Sequence, residues 1–122
     1  MKSTVSVIPS NSILFIEDGM EGTIPSVGDP ALPAWASPDC IIVRCYPNMD
    51  GPTEVTLASR TEIDIQRPPD FQALLNTPHR HVAIRQVCDE LVMETVVPTK
   101  RTLVSIWVSH PKWPEKVIIG LG

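Results

Sequence analysis

Proline is the feature that most limits what this chain can fold into. It occurs 13 times in 122 residues, about twice the usual share of roughly 5%. Because proline lacks a backbone donor and clashes with the preceding turn, a helix-rich fold tolerates this number poorly. Between the prolines lie short apolar runs rich in β-branched residues, which favour strands. The sequence therefore predicts an all-β fold.

The predicted strands alternate with turn-forming residues along the whole chain. They cover residues 4–8, 13–17, 40–46, 53–58, 61–67, 80–87, 91–97, 103–109 and 117–121. Antiparallel strands of this length and number pack as two stacked sheets. We expect a single antiparallel β-sandwich domain of about seven to nine strands spanning residues 1–122, with one long irregular loop rich in proline and glycine.

Three connecting segments carry more specific predictions. Residues 9–12, Pro-Ser-Asn-Ser, have turn chemistry and predict a hairpin between the first two strands. Residues 98–101 predict a second hairpin connection, leading into the strand at 103–109. Residues 70–76 are compatible with one or two helical turns, for which Asp70 would be the N-cap.

Residues 79–94 allow two structures. As a helix, apolar residues would form one stripe, and Thr77 and Pro78 would begin it well. As two strands joined at residues 88–90, the same segment uses its many β-branched residues. Strands are favoured because the clear neighbours are strands, and an α+β fold with a helix near residues 79–94 is the alternative.

The loop at residues 18–39 holds too many prolines and glycines for a helix or a central strand. Loops of this length in small domains often carry function. The simpler interpretation is a flap that covers one end or edge of a sheet.

The charge is concentrated in the same region. Residues 1–39 contain one basic and five acidic residues, and residues 40–122 contain nine of each, so the whole net charge of −4 lies in the first third. With a pI near 5.2, the chain is not built to follow a phosphate backbone, so we expect no nucleic-acid partner. A basic protein partner suits the acidic third better.

The cysteines and termini indicate a cytoplasmic protein. Cys40, Cys45 and Cys88 are odd in number and form no CxxC motif. A strand at 40–46 would place Cys40 and Cys45 on opposite faces, so we expect buried free thiols. The sequence contains neither a secretory signal nor an apolar run long enough to span a membrane, and we expect no membrane association.

The histidines at positions 79 and 81 are the clearest candidate for a metal site. On a strand they would point the same way, as an H-x-H pair does. A catalytic metal needs a third ligand, and Arg80 and Arg85 beside the pair repel a cation. The paired carboxylates Glu62 and Asp64 are more typical of a solvent-exposed strand face than of a catalytic acid and base. We therefore expect no catalytic residue, no metal and no cofactor.

The tryptophans give the remaining candidates. Trp35 and Trp113 lie in proline-rich loops, where an exposed tryptophan could anchor a partner. Either ring could instead fold back and close an end of the sandwich. Trp107 lies in the strand at 103–109, on the face opposite Val104 and Ile106, so it is expected outside the core.

These observations favour a small non-enzymatic protein-binding module. The predicted interface comprises Glu17, Asp18, Glu21, Trp35 and Trp113. A more specific alternative is an acidic inhibitor or immunity-type protein that neutralises a basic enzyme such as a nuclease, because complementary charge speeds association. A second alternative is a metal-binding protein or enzyme using His79 and His81. Unpaired sheet edges also leave a homo-oligomer open.

Overall fold

Ten strands form two five-stranded sheets in the computed structural model, which describes residues 2–19, 22–87 and 89–122. The strands are β1 (Lys2–Val7), β2 (Ile13–Glu17), β3 (Ala34–Ala36), β4 (Cys40–Arg44), β5 (Thr53–Ser59), β6 (Phe71–Asn76), β7 (His81–Arg85), β8 (Leu91–Val96), β9 (Arg101–Val108) and β10 (Lys116–Leu121). The predicted all-β sandwich is confirmed. Nothing in these ranges is a helix long and apolar enough to cross a membrane.

Sheet A has the strand order β1-β5-β10-β9-β6, and sheet B has the order β3-β4-β2-β7-β8. Nearly all neighbours are antiparallel. The exception is the pairing of β5 with β10, which is parallel. The chain passes between the sheets four times, so consecutive strands are often in different sheets.

The core lies between the sheets because alternate residues of each strand point inward. Sheet B contributes Leu14, Ile16, Ile41, Val43, Val82 and Ile84, all fully buried. Sheet A contributes Val55, Leu57, Leu75, Val104, Ile106, Val117 and Ile119. Branched aliphatic side chains therefore fill the space between two sheets without a metal or disulfide being needed.

The strands favoured at residues 79–94 are present as β7 and β8, and the helical alternative is wrong. The two strands pair with each other in antiparallel register, with an irregularity between Ile84 and Arg85. The β-branched composition thus outweighs the helical spacing, because β7 also pairs with β2 inside sheet B.

The strand predicted at 61–67 is wrong. Residues Arg60–Glu62 form a 3-10 turn, in which the Glu62 carboxylate accepts a hydrogen bond from the Ser59 backbone N–H. The segment then crosses the outer face of sheet A, where Trp107 Nε1 donates to the Arg67 carbonyl at 3.0 Å. Ile63 and Ile65 are half-buried in this cover. Their alternation reflects packing on a sheet rather than membership of one.

The helical turns predicted at 70–76 are also wrong, because this segment is strand β6. The Asp70 carboxylate does not cap a helix. It accepts hydrogen bonds from the Val108 backbone N–H and from Arg67 Nη1, both at 2.8 Å. The side chain that resembled an N-cap therefore supports the start of the β6–β9 pairing.

Both predicted hairpins connect strands of different sheets. After β1, a turn at Ser10–Ser12 with positive φ at Asn11 and Ser12 carries the chain from sheet A to sheet B. Residues 98–101 likewise lead from β8 in sheet B towards β9 in sheet A. The hairpin predictions are therefore wrong, because β1 pairs with β5 rather than β2, and β8 pairs with β7 rather than β9.

Candidate functional site

The outer face of sheet B carries the side chains that the core leaves out. On β2 these side chains are Phe15 and Glu17. The residues paired with them on β4 are Ile42 and Cys40. Residues 22–33 lie beside this face, and the chain then forms β3 along the edge of β4. The irregular loop predicted at 18–39 thus ends in an edge strand.

Arg44 and Trp35 hold the loop in place. The Arg44 guanidinium donates to the carbonyls of Leu32 and Pro30, both at 3.0 Å, and lies 4.8 Å from the centre of the Trp35 ring. Trp35 Nε1 donates to the Asp29 carbonyl at 3.1 Å. Polar contacts to backbone carbonyls, together with the buried Trp35 ring, hold this part of the loop.

At the Glu17 end of β2 the outer face opens into a cleft of about 730 Å³, which we call the acidic cleft. Asp18, Asp39, His79 and Arg85 are among its lining residues. Asp39 and Gly22 also border a smaller recess of about 90 Å³. A side chain at position 22 would collide with Asp39, because a Cβ there would lie 2.6 Å from the Asp39 Cβ. Glycine thus keeps this wall open.

Asp18 is the most buried acid of the cleft, with only 7% of its surface exposed. Its Oδ2 accepts a hydrogen bond from the His79 backbone N–H at 2.6 Å. Its Oδ1 has no hydrogen-bond partner among the described residues and lies 3.4 Å from Nδ1 of the largely exposed His79 ring. One oxygen of a buried carboxylate is therefore left with a single loose contact.

His81 connects the cleft to the neighbouring strand. Its Nδ1 lies 3.0 Å from the Asp18 carbonyl oxygen and its Nε2 lies 2.9 Å from Glu94 Oε2. Both ring nitrogens are thus engaged with oxygen acceptors. These contacts fix the Asp18 backbone where β2 ends.

Glu17 adds a second poorly compensated carboxylate. Burial raises its pKa above the ordinary value, the neighbouring Arg85 opposes this effect, and Asp89 adds to it. The Arg85 Nε lies 3.6 Å from Glu17 Oε1 and makes no hydrogen bond within the described part of the chain. The cleft and recess together present Glu17, Asp18, Asp39 and Asp89 against one guanidinium, so their local charge is negative.

The thiols near this face are poor nucleophiles. Burial, together with the smaller effect of the charges of Glu17 and Asp39, raises the pKa of Cys40 to about 12. Burial also raises the pKa of Cys45 to about 12, although a hydrogen bond with Thr53 lowers it slightly. Both cysteines are free and buried, as predicted, while Cys88 lies outside the described residues.

At the Ile13 end of β2 a cleft of about 300 Å³ brings two tryptophans together. Trp35 lines it from below and is only 7% exposed, whereas Trp113 is 56% exposed. The Trp113 ring stacks on His110 with centroids 5.3 Å apart. Val27 of the loop borders the same cleft. Trp113 is therefore available to a partner, whereas the Trp35 ring is almost completely covered.

The predicted interface residues are thus divided between two ends of one sheet face. Glu17 and Asp18 lie in or beside the acidic cleft, and Trp35 and Trp113 lie at the other end. Glu21 lies outside the described residues.

Sequence reasoning missed Asp39, Arg85 and Asp89. They come from separate connections and strands, so no spacing along the chain signals their proximity. The one available sign was that Asp39 and Arg85 lie directly beside apolar, β-branched runs.

The alternative of a metal site at His79 and His81 depended on both residues lying on one strand. Strand β7 begins at His81, and Arg80 before it has a positive φ of 53°. Strand alternation therefore does not extend to His79. In residues 2–19, 22–87 and 89–122 no three histidine, cysteine or acidic side chains are grouped so that they could hold a metal ion.

A second large cleft, of about 720 Å³, lies where β8, β9 and the end of β10 meet. Leu74, Val96 and Leu103 line it, with Arg60 and Arg101 also present. None of the described residues that line it carries a buried, poorly paired charge of the kind seen at Asp18. The acidic cleft is therefore the better candidate for recognition.

Comparisons with known proteins give a likeness of structure and none of sequence. No family model and no curated protein match the chain. A solved structure does, that of ComJ from Bacillus subtilis, described as an inhibitor of the DNA degrading activity of NucA. The TM-score is 0.68, and the match covers 98% of this chain and 93% of ComJ at 9% identity. The chain shares the fold of ComJ.

Proposed function

We propose that this chain is a non-enzymatic protein-binding module and, more specifically, an inhibitor that neutralises a basic enzyme such as a nuclease. The observation that carries the proposal is the acidic cleft with its adjoining recess, whose described lining residues include four carboxylates and one guanidinium beside an exposed loop. A basic partner would supply the missing positive charge. The interface would extend from the acidic cleft along residues 22–33 to Trp113.

Charge complementarity explains why such a surface would act quickly and selectively. Opposite potentials steer two proteins together and penalise partners of the wrong charge. Because salt screens this long-range attraction, the association rate should fall as salt is added. Asp18 and Glu17 are partly buried, and salt screens charges less there than on an open surface. Contacts to these two residues would therefore control the dissociation rate.

Apolar residues around the cleft would supply the remaining affinity. Ile24 of the loop is 64% exposed and borders the recess that contains Glu17. Val27 is 60% exposed and borders the tryptophan cleft. Trp113 has the size and polar edge that interface anchors commonly have. Specific interfaces commonly combine apolar anchor residues with polar and charged surroundings.

The shared fold supports the inhibitor form of the proposal. ComJ is described as inhibiting the DNA degrading activity of a nuclease. A fold hosts many functions, so this support is by analogy, and the acidic cleft carries the proposal.

The test is inhibition of DNA cleavage. The purified chain is titrated into NucA, and into basic nucleases encoded in the same genome as the chain, with a fluorescent DNA duplex as substrate. We expect saturable inhibition of at least one of these enzymes by one molar equivalent, weakening as salt is raised. If none is inhibited and none binds by calorimetry, the inhibitor proposal is wrong.

A matched pair of variants locates the surface. Asp89→Lys reverses an exposed charge at the recess, and Asp64→Lys makes the same change on the cover of sheet A. Both variants change the net charge by the same amount and differ only in the location of the change. Only Asp89→Lys should weaken inhibition, by about tenfold or more, because only this residue borders the proposed interface. Equal weakening by the two variants would show that overall charge, and not the cleft, is recognised.

A further inference from the structure

We infer that the acidic cleft binds an arginine side chain of the partner, and that the guanidinium takes the place of the His79 ring at Asp18 Oδ1. The identity of the biological partner rests on the proposed function. The added element is the chemical group that the cleft recognises, a guanidinium.

An acidic cluster alone would not justify this assignment. The independent observation is Asp18, which is more than nine-tenths buried, lines the cleft, and has an Oδ1 without a hydrogen-bond partner in the described chain. An ionised carboxylate oxygen held away from water without a donor is costly. A ligand that brings a donor to this oxygen removes that cost, so the free energy of binding would be concentrated there.

The His79 side chain covers this oxygen only loosely. Its Nδ1 is 3.4 Å from Oδ1, and the side chain is 78% exposed. The backbone N–H of His79 makes the firm contact, at 2.6 Å to Oδ2. The ring can therefore rotate away without disturbing the turn, and the entering group would find Asp18 already oriented.

The acceptors in the cleft suit a guanidinium better than an ammonium. Asp18 and Asp39 approach from two different connections. Both Asp39 oxygens already accept one hydrogen bond each, Oδ1 from Asn76 Nδ2 and Oδ2 from the Thr23 N–H, both at 3.2 Å, and each can accept another. A planar group with five donors can engage two carboxylates at once, whereas lysine offers a compact point charge.

Arg85 sets a limit on the geometry. Its guanidinium occupies the same cleft and lies 3.6 Å from Glu17. The incoming cation would therefore bind on the Asp18 and Asp39 side, away from Arg85. Glu17 remains the partner of Arg85 and would compensate its charge.

The experiment uses the full chain labelled with ¹⁵N and three small probes. These are N-acetyl-arginine methylamide, the lysine analogue, and the citrulline analogue, which has nearly the shape of arginine but no charge. The backbone amides of His79 and Thr23 report directly, because they donate to Asp18 and Asp39. We expect saturable shifts with the arginine probe at roughly millimolar Kd, a weaker lysine response and none with citrulline.

Variants supply the controls. Asp18→Asn keeps an acceptor for the His79 amide and should weaken arginine binding about tenfold. Asp64→Asn removes an acid elsewhere and should change nothing. His79→Ala should tighten binding by about twofold to threefold, because it clears Oδ1. Where Asp18→Asn does not give a folded amide spectrum, Asp39→Asn carries the same test.

Several results would overturn the inference. They are equal responses to arginine and citrulline, equal affinity for arginine and lysine, unchanged binding in Asp18→Asn, or weaker binding in His79→Ala. Nuclease inhibition without arginine binding would also refute the cleft assignment while leaving the proposed function intact. Arginine binding without inhibition of any nuclease would support the cleft and refute the inhibitor proposal.

Discussion

The two outer faces of the sandwich are both covered by a loop, but in different ways. Over sheet A, residues 60–69 direct Ile63 onto Gly120, where an added Cβ would lie 2.6 Å from the Ile63 methyl group. Arg60 also stacks on Trp107, 4.9 Å from the ring centre. Beside sheet B, residues 22–33 are held by polar contacts to backbone carbonyls and leave Ile24 and Val27 exposed.

The difference indicates how the two faces are used. A cover that places its apolar side chains inward contributes to stability and leaves little for a partner to bind. A loop held by hydrogen bonds to its backbone carbonyls can expose its apolar side chains to solvent with little loss in the free energy of unfolding. Substitutions on sheet A should therefore affect the free energy of unfolding, and substitutions beside sheet B should affect binding.

Trp107→Ala should give the largest effect on stability. This ring is almost completely buried and its Nε1 donates to the Arg67 carbonyl, so its loss should lower the free energy of unfolding by about 3–5 kcal/mol. Trp113→Ala is the control and should stay within about 0.5 kcal/mol. Urea denaturation measures both. Similar losses in the two variants would contradict the division between the faces.

The second prediction compares the two covers directly. Ile63→Asp places a charge in the packed cover of sheet A and should cost about 1–3 kcal/mol of unfolding free energy. Ile24→Asp places the same charge on the exposed loop beside sheet B and should cost less than about 0.5 kcal/mol. Thermal and urea unfolding of both variants would test this. A larger cost at position 24 would show that the loop is packed more firmly than its exposure indicates.

The third prediction concerns the polar attachment of the loop. Arg44→Met retains the aliphatic stem but removes the donors to Pro30 and Leu32, and should cost about 1 kcal/mol. The Leu32 amide, which bonds to the Asp29 carbonyl, should exchange with solvent faster. Hydrogen exchange followed by NMR measures this. Lys100→Met is the control, and unchanged Leu32 exchange in Arg44→Met would refute the attachment.

The smallest effect is a pH dependence that originates at Glu17. Because burial raises its pKa in the folded state, the group favours folding fully below its unfolded pKa, and this contribution is lost as pH rises through the folded pKa. The stability of the native chain relative to Glu17→Gln should therefore fall between about pH 4 and pH 7. Urea midpoints at the two pH values measure it. A relative stability that rises with pH would mean that Arg85 outweighs burial.

Periodicity and composition were sufficient for the sheet class but not for the topology. The segments at 13–17, 40–44, 53–58 and 117–121 were predicted within a few residues because their apolar, β-branched runs are buried in the sheets. The segment at 61–67 has equally clear alternation, yet it packs on a sheet from outside. A pattern reports which side of a segment is buried, and it does not report whether backbone hydrogen bonds join the segment to a sheet.

The residues of the candidate site also include some that the sequence predicts and some that only the structure reveals. Glu17 and Asp18 were selected from their place in an acidic stretch, and the structure locates them at the acidic cleft. Asp39, Arg85 and Asp89 could not be selected, because the order of strands in sheet B brings them to the cleft and its recess. Trp35 and Trp113 looked alike in sequence, and only packing separates the buried ring from the exposed one.

The sequence by itself determined that this chain forms strands, that its prolines end them, and that its excess negative charge lies near the beginning. These properties depend on local sterics and on composition, which a single chain displays directly. The tertiary structure decided which strands pair, which cover seals its sheet, and which carboxylates share one cleft. Those outcomes depend on contacts between segments far apart in the chain, where the requirement to bury one common core selects among locally equivalent alternatives.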